Sequence, residues 1–296
     1  LNMKPITRID RKLSVQMSWW GMEQVPDFAA DTTAEKIRRI ADAGFDGING
    51  FIPDQEQEAE WKELLAQHQL ELSVNAYPAS AADMESFLEK AVRFGGISFI
   101  NAQVMTPFVT GIEAESLLGA IKELSRQAGI PVYVETHRGT ITQDLIRTAR
   151  YVRDLGQLDL TIDFSHYVLA GEMRSVRPEA EELLQQLLVH TSSIHARISN
   201  GEQIQIGMEH EEAKVMLPLF ERWWRKGMEQ WLLRSQPGDN FPFVCELGPP
   251  PYAMTRHTGE GIGEGTGERT TAELSDRWRE SLLYAERARR LWDSLD

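Results

Sequence analysis

Four strand-like runs of this chain end, one after another, in a carboxylate or an imidazole. The residues are Glu135 in Pro-Val-Tyr-Val-Glu-Thr-His, Asp163 in Leu-Thr-Ile-Asp-Phe-Ser-His, His195 in Ser-Ile-His-Ala-Arg and Glu246 in Phe-Val-Cys-Glu-Leu-Gly. Successive gaps are 28, 32 and 51 residues. A (β/α)8 barrel of about 250 residues has roughly 31 residues per strand–helix unit. The first two gaps are then one unit each, and the third is one unit with an insertion. The C-terminal ends of barrel strands converge on one face, where active sites lie. Three carboxylates and an imidazole meeting there suit a divalent metal ion.

The rest of the chain keeps the same rhythm. Strand runs are expected at 13–19, 45–51, 70–76, 98–105, 132–136, 158–164, 193–198 and 243–247. Helical patterns fill 33–43, 56–68, 80–94, 113–128, 142–155, a segment opened by Pro178, 211–233 (with Pro218 as a bend) and 271–295. Eight such units predict an α/β fold, a single TIM-barrel domain over 1–296. No Gly-x-Gly-x-x-Gly follows the first strand, which argues against an open dinucleotide-binding sheet. Two connections are long: 199–210 after the seventh strand, and 248–270 after the eighth, which holds Pro249-Pro250-Pro251 and a glycine-rich run. Loops of this length serve as lids or interfaces, or are plain connections.

A formal net charge of −14 disfavours nucleic acid as the main partner, because phosphate neutralisation needs a basic face. The single cysteine, Cys245, excludes an intramolecular disulfide and reads as a buried structural thiol. No run of about 20 apolar residues predicts a membrane span, and the first residues lack the apolar stretch of a secretory signal. A cytoplasmic protein is expected.

A lone acid at a strand end is often only a helix cap, but four in register are harder to explain that way. His137 and Arg138 follow Glu135 at the same strand mouth. His137, two residues on, shares its side of an extended strand and reads as a substrate contact or a hydrogen-bonded supporting group. Arg138 suits a phosphate or carboxylate on a substrate, or neutralises the acids. Trp19 and Trp20 end the first strand, where one ring can stack on a ligand and the other pack inward. Asn75 and Gln103, near the ends of strands three and four, can bind hydroxyls. His68 and His190 read as structural or exposed, and Trp223-Trp224 as packing or a subunit interface.

The motifs Val-Glu-Thr-His-Arg-Gly, Asp-Phe-Ser-His, Ile-His-Ala-Arg and Cys-Glu-Leu resemble the xylose-isomerase-like barrel superfamily over nearly the whole chain. Within it the chain is most similar to the sugar (phosphate) isomerase/epimerase group, which includes ketose 3-epimerases. The resemblance implies that Glu135, Asp163, His195 and Glu246 ligate one divalent ion, Mn²⁺ above all, with Mg²⁺, Co²⁺ or Zn²⁺ as substitutes. His166 then matches a substrate-contacting histidine, and Glu135 and Glu246 the acid/base pair. Arg197 stands only two residues past the metal histidine, closer than the hydroxyl-binding arginine of the epimerases. The implied reaction is proton transfer beside a carbonyl through a metal-stabilised enediolate. By resemblance the protein is a homodimer or homotetramer acting on a small carbohydrate.

Three alternatives remain. The same metal and base serve a lyase or dehydratase acting on a keto-sugar, keto-inositol or 3-keto-glycoside, with elimination replacing reprotonation. The apurinic-site endonucleases of the superfamily need histidines on early strands that this chain lacks, and Met208 stands where a carboxylate would accompany His210. A non-catalytic sugar-binding subunit would not need the paired acids.

Overall fold

Eight short strands pair edge to edge in chain order, all parallel, and the last closes on the first. They are β1 (Lys12–Ser18), β2 (Gly47–Gly50), β3 (Glu71–Ala76), β4 (Ile97–Ala102), β5 (Val132–Glu135), β6 (Leu160–Ile162), β7 (Thr191–Ala196) and β8 (Asn240–Cys245). Closure runs in register from Lys12 opposite Asn240 to Met17 opposite Cys245. The expected (β/α)8 barrel is therefore the fold. The computed structural model describes residues 8, 10–258 and 271–295.

Helices lie between the strands: α1 (Thr33–Asp42), α2 (Glu58–His68), α3 (Ala81–Phe94), α4 (Gly111–Ala128), α5 (Leu145–Leu155), α6 (Phe164–Ala170), α7 (Pro178–Leu188), α8 (Ala213–Leu232) and α9 (Arg277–Asp293). Their starts are set by local chemistry. Thr32 and Glu35 form a reciprocal capping box on α1, while Ser80, Asp144 and Asp276 cap α3, α5 and α9 by accepting a backbone N–H. Pro178 opens α7 from its first turn. Pro218 lies inside α8, and no helix among the described residues is long and apolar enough to cross a membrane.

Alternation along each strand divides the packing into two layers. Leu72, Val74, Ile194 and Ala196 belong to the apolar core with residues of the helices, such as Ile37, Leu118 and Trp223. The intervening positions are polar. Ser73 donates to Gln16 (2.6 Å) and accepts from Asn49 (2.9 Å). Asn75 donates to Asn49 and Asn101 donates to Asn75, each at 3.0 Å. A line of hydroxyl and amide groups thus crosses β1 to β4 inside the barrel and satisfies polar side chains that burial would otherwise penalise. It ends at Glu135 on β5.

Several boundaries differ from the sequence expectation. The strand expected over 158–164 is cut to Leu160–Ile162 because Asp163 caps α6, which starts at Phe164. The strand expected to reach 105 stops at Ala102. The helix expected from 271 begins only at Arg277: Thr271–Glu273 form a strand, β10, antiparallel to β9 (Thr255–His257). The flanks of the 248–270 loop are therefore a two-stranded ribbon, and 259–270 lie outside the described residues. The 199–210 loop is packed down. Gln205, 4% exposed, exchanges two hydrogen bonds with the Gly248 backbone, and Met208 N–H donates to Glu280. Gly248 has no room for a side chain, because a Cβ there would lie 2.1 Å from the Trp20 ring.

A candidate metal and substrate site at the strand ends

The C-terminal ends of β5, β7 and β8 bring Glu135, His195 and Glu246 together. All three are buried, and one ligand atom from each lies within 4.8 Å of the others. His195 Nδ1 is 3.1 Å from Glu246 Oε2 and 3.6 Å from Glu135 Oε1. Neither approach has hydrogen-bond geometry. Both His195 ring nitrogens and Glu135 Oε1 are left without partners although fully enclosed. Buried donors and acceptors are almost always paired, so this concentration of bare nitrogen and oxygen atoms marks a place for a ligand. Two carboxylates and an imidazole are a donor set for a divalent ion such as Mn²⁺, Mg²⁺ or Zn²⁺.

Asp163 is held differently. Its Oδ1 accepts from the Ser165 backbone N–H and hydroxyl, at 2.9 and 2.5 Å, and its Oδ2 accepts from Arg197 Nε at 2.9 Å. Arg197 reaches on to Glu246 with its Nη2 and is itself 1% exposed. It follows His195 by two residues and shares that face of the chain, so the guanidinium lies between two of the expected metal-binding acids. The cluster joins Asp163 to the other three through this arginine.

Charge compensation decides the protonation states. Burial pulls the His195 imidazolium down, but Glu246 and Glu135 outweigh it and push the group up to about 10. Burial raises the Glu135 carboxyl, yet His195 and the surrounding donors hold it at about 2. Glu246 is lowered by the same opposition, with burial overcome by His195 and Arg197. Burial dominates at Asp163 and raises it, and at His166 it holds the ring neutral. Burial also pushes the Cys245 thiol up, which fits an inert core group rather than a nucleophile.

Of the remaining expected contacts, Trp19, Asn75, Gln103, His137 and Arg197 line a cavity of about 370 Å³, within the size range of small-molecule sites. His166 and Arg138 stand behind its wall residues His137 and Tyr252. Trp19 and Trp20 form part of its wall, with Asn75 and Gln103 on other strand ends. Gln103 and Asn101 both donate to Glu135 Oε2, at 2.9 and 2.6 Å. Trp19 also packs on Trp61, with ring centroids 4.8 Å apart. His137 lines the cavity, and its ring centre is 3.8 Å from that of His166, which is fully buried with both nitrogens unpartnered. Glu135, His137 and His166 form a second group of donors within 4.8 Å. Arg138 lies over the Tyr252 ring at 4.9 Å.

Two participants were not legible. Tyr252 lines the cavity, touches Trp20 (5.0 Å between centroids) and places its hydroxyl 3.3 Å from His137 Nε2. The only hint was its place just after the proline run beyond the eighth strand. Asn101 could have been found from its spacing, two residues before Gln103 and so on the same side of the strand.

Comparison with known proteins agrees with this architecture. The family model described as Xylose isomerase-like TIM barrel matches residues 37–212. No curated protein matches the chain. Among solved structures, L-ribulose 3-epimerase is similar at 14% identity and a TM-score of 0.57, covering 95% of this chain and 97% of its own. A xylose isomerase-like TIM barrel protein from Mycobacterium smegmatis in complex with magnesium is 16% identical, with a TM-score of 0.56 over 99% of this chain and 100% of its own. The probable 3-DHS dehydratase AsbF from Bacillus anthracis is 17% identical, with a TM-score of 0.53 over 79% of this chain and 92% of its own. At these identities the neighbours speak for the fold alone. The family model, which spans more than half of the sequence, goes further: the chain belongs to the xylose isomerase-like TIM barrel family.

Proposed function

We propose that this protein is a divalent-metal-dependent isomerase or epimerase of a ketose-type carbohydrate, moving a proton at the carbon beside a carbonyl. The observation that carries this reading is the pair of buried carboxylates, Glu135 and Glu246, both beside His195 Nδ1, with Glu246 lining the cavity. In this reading Glu135, His195 and Glu246 hold the ion, Mn²⁺ by expectation, and Asp163 completes the set. When bound, the ion supplies the Lewis acidity that polarises the substrate carbonyl and a neighbouring hydroxyl.

The chain's own groups do the rest. Glu135 keeps Oε1 bare while Asn101 and Gln103 fix Oε2, so the carboxylate presents one oriented oxygen. Glu246 is oriented through Arg197. One of these acids takes the proton from carbon, and the other returns a proton to the opposite face. Trp19 supplies an apolar wall for a sugar ring; Asn75, Gln103, His137, His166 and Arg197 bind its oxygens. A cytoplasmic homodimer or homotetramer belongs to the same reading, and sedimentation velocity tests the assembly.

One observation favours a second reading, a metal-dependent lyase or dehydratase acting on a keto-sugar, keto-inositol or 3-keto-glycoside. The Tyr252 hydroxyl and His137 stand 3.3 Å apart in the cavity wall. Such a pair can deliver a proton to a departing oxygen, and a dehydratase is among the fold neighbours.

The test is NMR of the Mn²⁺-loaded protein with a panel of ketoses, keto-glycosides, keto-acid sugars and ketose phosphates in D₂O, with Mn²⁺ removed before spectra are recorded. Deuterium beside the carbonyl together with a new epimer or isomer is the expected result; release of water or an aglycone selects the lyase. Glu246→Gln should abolish turnover and weaken metal binding, and a fully active variant would sink the assignment. Asp163→Asn should chiefly lower metal affinity, and unchanged affinity removes Asp163 from the ligand set.

A further inference from the structure

Two arginines meet at one tyrosine beside the cavity. The guanidinium carbons of Arg138 and Arg197 each lie 4.9 Å from the centre of the Tyr252 ring. Arg197 uses Nε on Asp163 and Nη2 on Glu246, which leaves Nη1 buried and without a hydrogen-bond partner. Arg138 is half-buried. Its Nη1 is enclosed and unpartnered, and no carboxylate among the described residues pairs with it. A buried guanidinium donor without an acceptor is costly. Here there are two, Arg138 three residues after Glu135 and Arg197 two residues after His195, both against one aromatic ring that itself lines the cavity.

The surroundings make this more than charge balance. Arg197 already answers Asp163 and Glu246, and His195 answers Glu135 and Glu246. Arg138 is a further positive charge beyond those contacts. The aromatic face fixes its position by cation–π attraction, so its donors are organised before any ligand arrives. Guanidinium groups match the oxygens of a carboxylate or phosphate, often in pairs of hydrogen bonds.

We infer that Arg138 and Arg197, organised by Tyr252, form an anion subsite for a carboxylate or phosphate group carried by the substrate. This inference rests on the proposed catalytic reading of the cavity and narrows it. The substrate is an acidic carbohydrate rather than a neutral ketose: a keto acid sugar, or a sugar phosphate.

The test uses the metal-loaded protein and simple probes. Inorganic phosphate and, separately, acetate are titrated while tryptophan fluorescence is followed, since Trp20 lies against Tyr252. Acetamide is the neutral control. Saturable responses to an anion but not to acetamide are expected, and the tighter of the two anions identifies the substituent. Arg138→Gln should weaken that binding about tenfold or more, the loss of a charge-assisted hydrogen bond, while Arg138→Lys retains part of it. Tyr252→Leu, which leaves both charges but removes the ring, should also weaken binding and covers the case in which Arg138→Gln fails to fold. An unchanged response in folded Arg138→Gln, or no response to either anion, overturns the inference. Metal content measured in parallel separates the two readings. Anion binding in a protein that takes up no metal defeats the catalytic reading but not the subsite. Changed metal affinity with unchanged anion binding shows that Arg138 merely balances the acids.

Discussion

Glu135 stands at the end of a hydrogen-bonded line that begins at Gln16 and crosses four strands. Asn101 is its last member, donating from Nδ2 to both Asn75 and Glu135. Groups that orient a metal-binding carboxylate typically change metal affinity or activity about 10–100-fold when lost. Asn101→Ala is therefore expected to weaken metal binding by about that factor, read by metal titration, while the barrel stays folded by circular dichroism. Unchanged affinity would make the line purely structural. At this scale the sequence was informative about acids and less so about their supports. Strand-end position exposes Glu135, His195 and Glu246 because an ionisable group closing an apolar run must be satisfied somewhere. Asp163 shows the limit: it caps α6 and pairs with Arg197, and spacing cannot distinguish an acid that does this from one that only awaits a metal. Tyr252 was hidden for a simpler reason. A loop residue has no periodicity, so no pattern says which way it faces.

Elements after β7 and β8 are fastened to each other and to α9, and one contact titrates. Glu280 in α9 accepts the Met208 N–H at 2.8 Å and is 6% exposed. Burial, aided by Glu209 and Asp276 and opposed by the Met208 bond and Arg279, raises its carboxyl from the ordinary 4.5 to about 7. The folded state thus binds its proton more tightly than the unfolded chain does. Its contribution is full below pH 4.5 and is lost as pH rises through about 7, a change on the order of 3 kcal/mol. Glu280→Gln keeps an acceptor for Met208 and cannot ionise. It should remove this part of the pH dependence and be the more stable form at pH 8, as judged by urea midpoints from pH 4 to 8. Identical profiles for the two proteins would show that Glu280 titrates normally. The helices and strands of the barrel were legible because their apolar periods are regular. The errors fall where tertiary pairing or capping overrides local pattern: 271–273 joined a ribbon instead of a helix, and β6 lost its end to the α6 cap.

Across the whole barrel, the proposed metal ligands come from consecutive strands, β5 to β8, on the half of the structure opposite the amide line. An ion bound there ties together the C-terminal ends of half the barrel in the folded state only. A ligand at one hundred times its Kd stabilises the folded form by about 2.7 kcal/mol. For a chain of this size that corresponds to a shift of roughly 4 °C in Tm. The metal-free barrel should nevertheless remain folded, because its three buried acids already have cations among them: His195 lies between Glu135 and Glu246, and Arg197 bridges Asp163 and Glu246. Chelation is thus expected to lower Tm by several degrees without loss of far-ultraviolet circular dichroism, and Mn²⁺ should restore it. Glu246→Gln removes a ligand and unbalances the same charge network, so its Tm should respond far less to chelator than that of the native chain. An equal response in both proteins would mean that the ion doing the stabilising binds away from the strand ends, and the catalytic reading would lose its metal.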